Sequence, residues 1–202
     1  MANTLRCLND NFPTKEELSN FRKNFAWENL ELEKINNWTQ NTDVLVNEIN
    51  KLYSNGEIKI NKYKIIGDNK FLYYLVIDNS FIQNICKNKK LLEDRNYLNL
   101  NGESPTINII KHWTDIYTLS GDLARILGYG GAYTHGIGQN ESWKIATEFI
   151  EKEFGNRFEE FDYYDIKIEN SKWFYDIAWD YSFIIIDKRN YEIIFIDITD
   201  TD

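Results

Sequence analysis

Two hydrophobic periods divide the chain, helical spacing dominating as far as Gly155 and strand spacing taking over from Phe161 onward. Thr14, with Glu17 three residues on and Leu18 beyond, has the capping-box pattern and predicts a short helix. From Asn29 to Tyr53 the residues Leu32, Ile35, Trp38, Leu45, Ile49 and Leu52 recur near helical spacing, and Ser54-Asn55-Gly56 supplies a stop. The pattern predicts a long helix with a break point at Asn41-Thr42-Asp43. Glu57 to Ile66 then alternates isoleucine and tyrosine with lysine, and after Gly67-Asp68-Asn69 the run Phe71 to Ile77 is almost wholly apolar, so the pair reads as a β-hairpin. Lys59, Lys62 and Lys64 read as the solvated side of that hairpin.

Asn79 to Leu92 is expected to be helical, and Asn99 to Pro105 to be a loop. Ser120 or Asp122 can cap a helix through Leu123, Ile126 and Leu127 toward Gly128. A further helix from Asn140 or Glu141 to Gly155 carries Trp143, Ile145, Ala146, Phe149, Ile150 and Phe154 as its apolar stripe. Strands are predicted at Tyr163 to Ile168, Trp173 to Ala178, Tyr181 to Asp187 and Tyr191 to Ile198, with Lys188-Arg189-Asn190 as a tight connection. Phe183 to Ile186 and Ile193 to Ile196 are apolar on both faces, as central strands covered by helices are. The expected fold is therefore a single α+β domain over residues 1–202, with helices packed on a mostly antiparallel C-terminal sheet. Its N-terminal helical portion carries the hairpin, and 1–105 and 106–202 are its natural subdivision.

Charge changes this picture. Met1 to Asn140 carries 16 Lys and Arg against 16 Asp and Glu, whereas Glu141 to Asp202 carries 7 against 16, which is all of the net −9. With 43% hydrophobic and 15% aromatic residues the acidic segment is expected to fold, unlike a disordered acidic tail. Its field attracts cationic partners and argues against nucleic acid as a direct ligand. Cys7 and Cys86 are too few for a disulfide framework and lack metal-site spacing, so they read as free thiols in a reducing compartment. The first residues lack a signal-peptide core and no apolar run reaches the length of a bilayer span; a soluble cytoplasmic protein is expected, without a membrane partner.

Three constellations are candidates for chemistry. Gly128 to Gly138 holds five of the ten glycines together with His135, and offers open backbone N–H groups beside a possible acid or base. It fits neither the dinucleotide nor the P-loop pattern, and glycines that permit tight packing are the simpler reading. The run Trp173 to Tyr181 places Asp176 and Asp180 four residues apart among aromatics, which on a strand would share one face. There Trp173, Tyr175 and Trp179 could anchor a partner while Asp176 and Asp180 meet its arginines or lysines; a core cluster is the alternative. Lastly, Asp197, Asp200 and Asp202 place carboxylates at the end of the final strand without the glycine and distal glutamate of a calcium loop. No metal or cofactor is expected.

The segment Leu123-Ala124-Arg125-Ile126-Leu127-Gly128-Tyr129-Gly130-Gly131-Ala132-Tyr133, the run Trp173 to Asp180 and the closing Thr199-Asp200-Thr201-Asp202 resemble small bacterial proteins of the immunity type from polymorphic toxin systems. The likeness covers roughly Gly121 to Asp202. It implies a cytoplasmic protein that neutralises a secreted toxin by tight binding, and the acidic charge points to a non-enzymatic inhibitor of a basic toxin domain such as a nuclease. On this reading the partner-binding residues are Trp173, Tyr175, Asp176, Trp179, Asp180, Asp197, Asp200 and Asp202. The alternative is an enzyme in which His135 works with Asp176, Asp180, Asp197 or Asp200, with or without a metal.

Overall fold

The computed structural model describes residues 12–78, 80–114 and 116–202. Cys7 lies outside the described residues. Helix α1 (Lys15–Asn24) starts where expected: the Glu17 N–H donates to Thr14 Oγ1 at 3.2 Å, and Glu17 Oε2 accepts from the Thr14 N–H at 2.7 Å. Strand β1 (Glu31–Ile35) follows, then helix α2 (Gln40–Leu52) and strand β2 (Glu57–Ile66). The long helix from Asn29 is thus a strand and a shorter helix. Leu30 and Leu32 are buried while Glu31 and Glu33 are exposed, and this period-two alternation outweighs the helical spacing of Leu32 and Ile35.

The run after β2 is helix α3 (Asn69–Val76) and not a second hairpin arm. Asp68 caps it through the Lys70 N–H at 3.0 Å, and its buried residues Leu72, Leu75 and Val76 follow helical spacing. Both edges of β2 are occupied in any case, because β1 pairs with it on one side and the last strand on the other. The N-terminal antiparallel pair is therefore β1 with β2. Two short helices, α4 (Phe81–Ile85) and α5 (Lys89–Asp94), replace the single one expected over Asn79 to Leu92; Asn79 is outside the described residues.

Strand β3 (Ile107–Thr114) leads to helices α6 (Ile116–Tyr129) and α7 (Gln139–Phe154), then to strands β4 (Phe161–Ile168), β5 (Tyr181–Asp187) and β6 (Glu192–Thr199). The six strands form one sheet in the order β1-β2-β6-β5-β4-β3, antiparallel throughout. The fold is α+β, as the pattern predicts. Alternation sends Phe183, Ile185, Ile194, Ile196 and Ile198 to a core shared with α2, α6 and α7. It sends Ile184, Ile186, Ile193 and Phe195 to the opposite core, under α3, α4 and α5. Trp173 to Ala178 is no strand. It is a turn-rich connection between β4 and β5, in which Asp176 takes a left-handed φ of 61°. No helix among the described residues is long and apolar enough to cross a membrane.

One cap joins the two halves of the chain. Thr39, ahead of α2, donates its N–H to Glu153 Oε1 at 2.7 Å and its hydroxyl at 2.6 Å, and the Thr42 hydroxyl donates to the same oxygen. The α7 carboxylate thus occupies the positive end of α2, where an anion is favoured.

Candidate functional site

Two of the five acidic side chains proposed for partner binding, Asp197 and Asp200, turn inward. Asp197, on the central strand β6, is 0% exposed. Its oxygens accept from Arg95 Nη2 at 2.8 Å and Nε at 3.1 Å, from the Tyr97 hydroxyl at 2.6 Å and from the Ser182 hydroxyl at 2.6 Å. The Arg95 guanidinium also lies 4.3 Å from the Phe195 ring centroid. Burial raises the Tyr97 hydroxyl far above the usual tyrosine range, and the Asp197 charge adds to it. This carboxylate is neutralised by a cation from the opposite half of the chain and is not offered to a partner.

Asp200 is likewise fully buried. Its Oδ1 accepts the Asn55 N–H at 3.0 Å and its Oδ2 the Ala132 N–H at 2.8 Å, pinning the α2–β2 turn and the α6–α7 loop to the end of β6. Asp180 organises its own turn, accepting the Tyr175 and Ile177 N–H groups at 2.8 and 3.0 Å and the Thr199 hydroxyl at 2.6 Å. Trp173 is half-buried against Tyr97 and Phe174, with ring centroids 5.1 and 4.8 Å away, and Trp179 packs against the α6–α7 core. Asp197 and Asp200 are therefore corrected from docking residues to structural ones, whereas Asp180, Trp173 and Trp179 are half-buried and support their own turn and the adjoining packing. Tyr175, Asp176 and Asp202 do reach solvent, and Asp176 is ion-paired with Lys167.

His135 is exposed in the α6–α7 loop, and among the described residues no hydrogen bond or ion pair joins it to Asp176 or Asp180, whose partners are those just named. Among the described residues no three His, Cys, Asp or Glu side chains converge as a metal site requires.

What the structure brings forward is the glycine-rich loop itself. The Gly136 N–H donates to the Tyr129 carbonyl at 3.2 Å and the Ile137 N–H to the Leu127 carbonyl at 3.0 Å, closing residues 129–136 into a compact bend at the end of α6. The Thr134 hydroxyl donates to the Leu52 carbonyl. Gly131 must lack a side chain, because a Cβ there would stand 2.2 Å from Asp200 Oδ2 and 2.5 Å from the Leu52 carbonyl oxygen. The glycines thus serve packing, and what they pack outward is aromatic. Tyr129 and Tyr133 are 73% and 65% exposed, and Trp143, one turn into the helix that leaves the loop, is 54% exposed.

Trp143 departs from the stripe assigned to it. The buried face of α7 is Ser142, Ile145, Ala146, Phe149, Ile150 and Phe154, and Trp143 sits one residue, about 100°, off the Ser142 position. A polar network lies under α6: the Tyr163 hydroxyl donates to Asp122 Oδ2 at 3.0 Å, and Arg125 stands 3.6 Å from Asp122 with its guanidinium 5.5 Å from the Tyr181 ring. Burial, then the Asp122 and Asp165 charges, push the Tyr163 hydroxyl well above the usual range. No family model matches the chain, and no curated protein matches it either.

Proposed function

We propose that the protein is a non-enzymatic binder, a cytoplasmic inhibitor of the immunity type, that docks on a basic protein domain through the glycine-rich loop and the start of α7. The observation that carries the reading is the exposure of Tyr129, Tyr133 and Trp143 on backbone tied to buried Asp200. Aromatic side chains bury ~150–250 Å² each and dominate interface energetics. A loop already fixed by hydrogen bonds and close glycine packing loses little further freedom on binding. The net charge of −9 supplies steering toward a cationic cleft, of which a nuclease's phosphate-binding cleft is the leading case. Exposed Glu141 and Glu151 lie on the same helix as Trp143, within reach of arginines or lysines around such a cleft.

The test is inhibition and calorimetric titration of basic nuclease-type toxin domains with this protein. Tyr133→Ala and Trp143→Ala are each expected to lose about 2 kcal/mol or more of binding, roughly thirtyfold in affinity. Asp176→Lys is expected to alter mainly the salt dependence of the association rate. Unchanged affinity in both aromatic variants would overturn the docking surface, and absence of binding to such domains would overturn the partner class.

A further inference from the structure

The chain contains two Asn-Gly pairs, Asn55-Gly56 and Asn101-Gly102, and the fold treats them in opposite ways. Asn-Gly is the dipeptide most prone to succinimide formation, because glycine places no side chain in the path of its own backbone nitrogen. What decides the rate in a folded protein is whether that nitrogen and the asparagine side chain are free to meet.

At Asn55-Gly56 they are held apart. The Asn55 side chain donates through Nδ2 to the Thr201 carbonyl at 3.1 Å, and its backbone N–H is held by Asp200 at 3.0 Å. The Gly56 N–H is engaged with the Tyr53 carbonyl at 3.1 Å. A Cβ on Gly56 would lie 1.8 Å from the Thr199 carbonyl oxygen, so backbone packs directly on the pair and the peptide plane has no room to turn.

At Asn101-Gly102 none of these restraints is present. Both residues are exposed, with left-handed φ values of 53° and 79°, the pattern of a type I′ turn closed by the Glu103 N–H on the Leu100 carbonyl at 3.0 Å. Nothing stands within 4 Å of the Cβ position of Gly102. Among the described residues no hydrogen bond engages the Asn101 side chain or the Gly102 N–H. Opening this turn breaks one solvent-exposed hydrogen bond, whereas opening the other dismantles the junction of β6, the α2–β2 turn and the α6–α7 loop.

We propose that Asn101 is a site of spontaneous deamidation in the native protein and that Asn55 is protected by its fold. The Gly102 backbone nitrogen attacks Asn101 Cγ. The N–Cγ bond forms, the Cγ–Nδ2 bond breaks, and the departing nitrogen takes the Gly102 amide proton and leaves as ammonia. Water then opens the cyclic imide at either carbonyl, giving aspartate or isoaspartate at position 101 with no change of oxidation state. The product adds one negative charge beside Glu103, in the segment that leads into edge strand β3. The isoaspartate form also lengthens the turn backbone by one methylene.

The experiment incubates the folded protein in mildly alkaline buffer and follows both sites by peptide mapping and an isoaspartate assay, with a parallel sample in denaturant. Conversion at Asn101 is expected to run at least about tenfold faster than at Asn55 in the folded sample, since Asn55 reacts only from opened states. In denaturant the two rates should converge, and Asn101→Gln should remove the main native product. Equal rates in the folded protein, a faster Asn55, or an Asn101 that reacts only in denaturant would each overturn the proposal.

Discussion

Replacing Arg95 with methionine removes the only cation bonded to Asp197 among the described residues and leaves that carboxylate, 0% exposed, with the hydroxyl donors Tyr97 and Ser182. Methionine fills much of the arginine stem's volume, so the change is chiefly electrostatic. Truncating one partner of a buried pair costs about 3–5 kcal/mol, because the survivor is left charged in a poorly polarisable interior. Loss of the contact with the Phe195 ring adds roughly 0.5–2 kcal/mol. Against a total of about 5–15 kcal/mol for a domain, a loss of ~4 kcal/mol is severe. For a chain of this length it lowers the melting temperature by roughly 8–16 °C. The assay is urea unfolding followed by tryptophan fluorescence and far-ultraviolet circular dichroism, with Asp197→Leu and the Arg95→Met/Asp197→Leu double variant closing a cycle. The double variant should recover most of the loss, since an apolar replacement of a buried pair is often neutral or stabilising. A cost below about 1 kcal/mol for Arg95→Met, or a double variant as unstable as the sum of the singles, would refute the assignment of Asp197 as a charge neutralised inside the fold.

Asp200→Ala should leave the Asn55 and Ala132 N–H groups unpaired at about 1–3 kcal/mol each and raise amide exchange at both positions, read by hydrogen–deuterium exchange; unchanged protection would show that Asp200 does not pin the loop. Glu17, hydrogen-bonded to Lys70 and then to the Thr14 N–H, titrates at about 2 instead of near 4.5. Because the folded value is depressed, its contribution to α1 is complete above about pH 4.5 and is lost as pH falls toward 2, and Lys70→Met should move the midpoint upward in a carbon-detected titration. Burial pushes the Cys86 thiol up to about 11, so in a Cys7→Ser background it should react with a thiol reagent only at the rate of unfolding; a fast native reaction would contradict that burial.

Much of the architecture is legible in the chain because local and global signals agree there. The capping box at Thr14 and Glu17 needs only its own four residues, and the apolar runs 183–186 and 193–196 can satisfy both faces only between two helical layers. Reading fails where a short segment supports two periods. Leu30 and Leu32 alternate as a strand inside a stretch that also matches a helix, and Phe71 to Ile77 matches a strand until Asp68 caps it. The candidate site is harder still. Asp197 and Arg95 lie 102 positions apart, so nothing local shows that one neutralises the other. Tyr133 sits in a bend with no period from which an inward face could be inferred, just beyond Tyr129 at the end of α6, and the course of that bend is set by the contacts of Ala132 with Asp200 and of Thr134 with Leu52.

Strand β6 comes last of the six in sequence yet lies between β2 and β5. Without β6, β1 with β2 and β3 with β4 and β5 form only two partial ribbons, each presenting an unpaired apolar edge. Seating β6 between the two ribbons covers both of those edges and joins the two cores across one strand. A cleavage or frameshift that removes β6 would not trim the molecule at its margin; it would divide it down the middle.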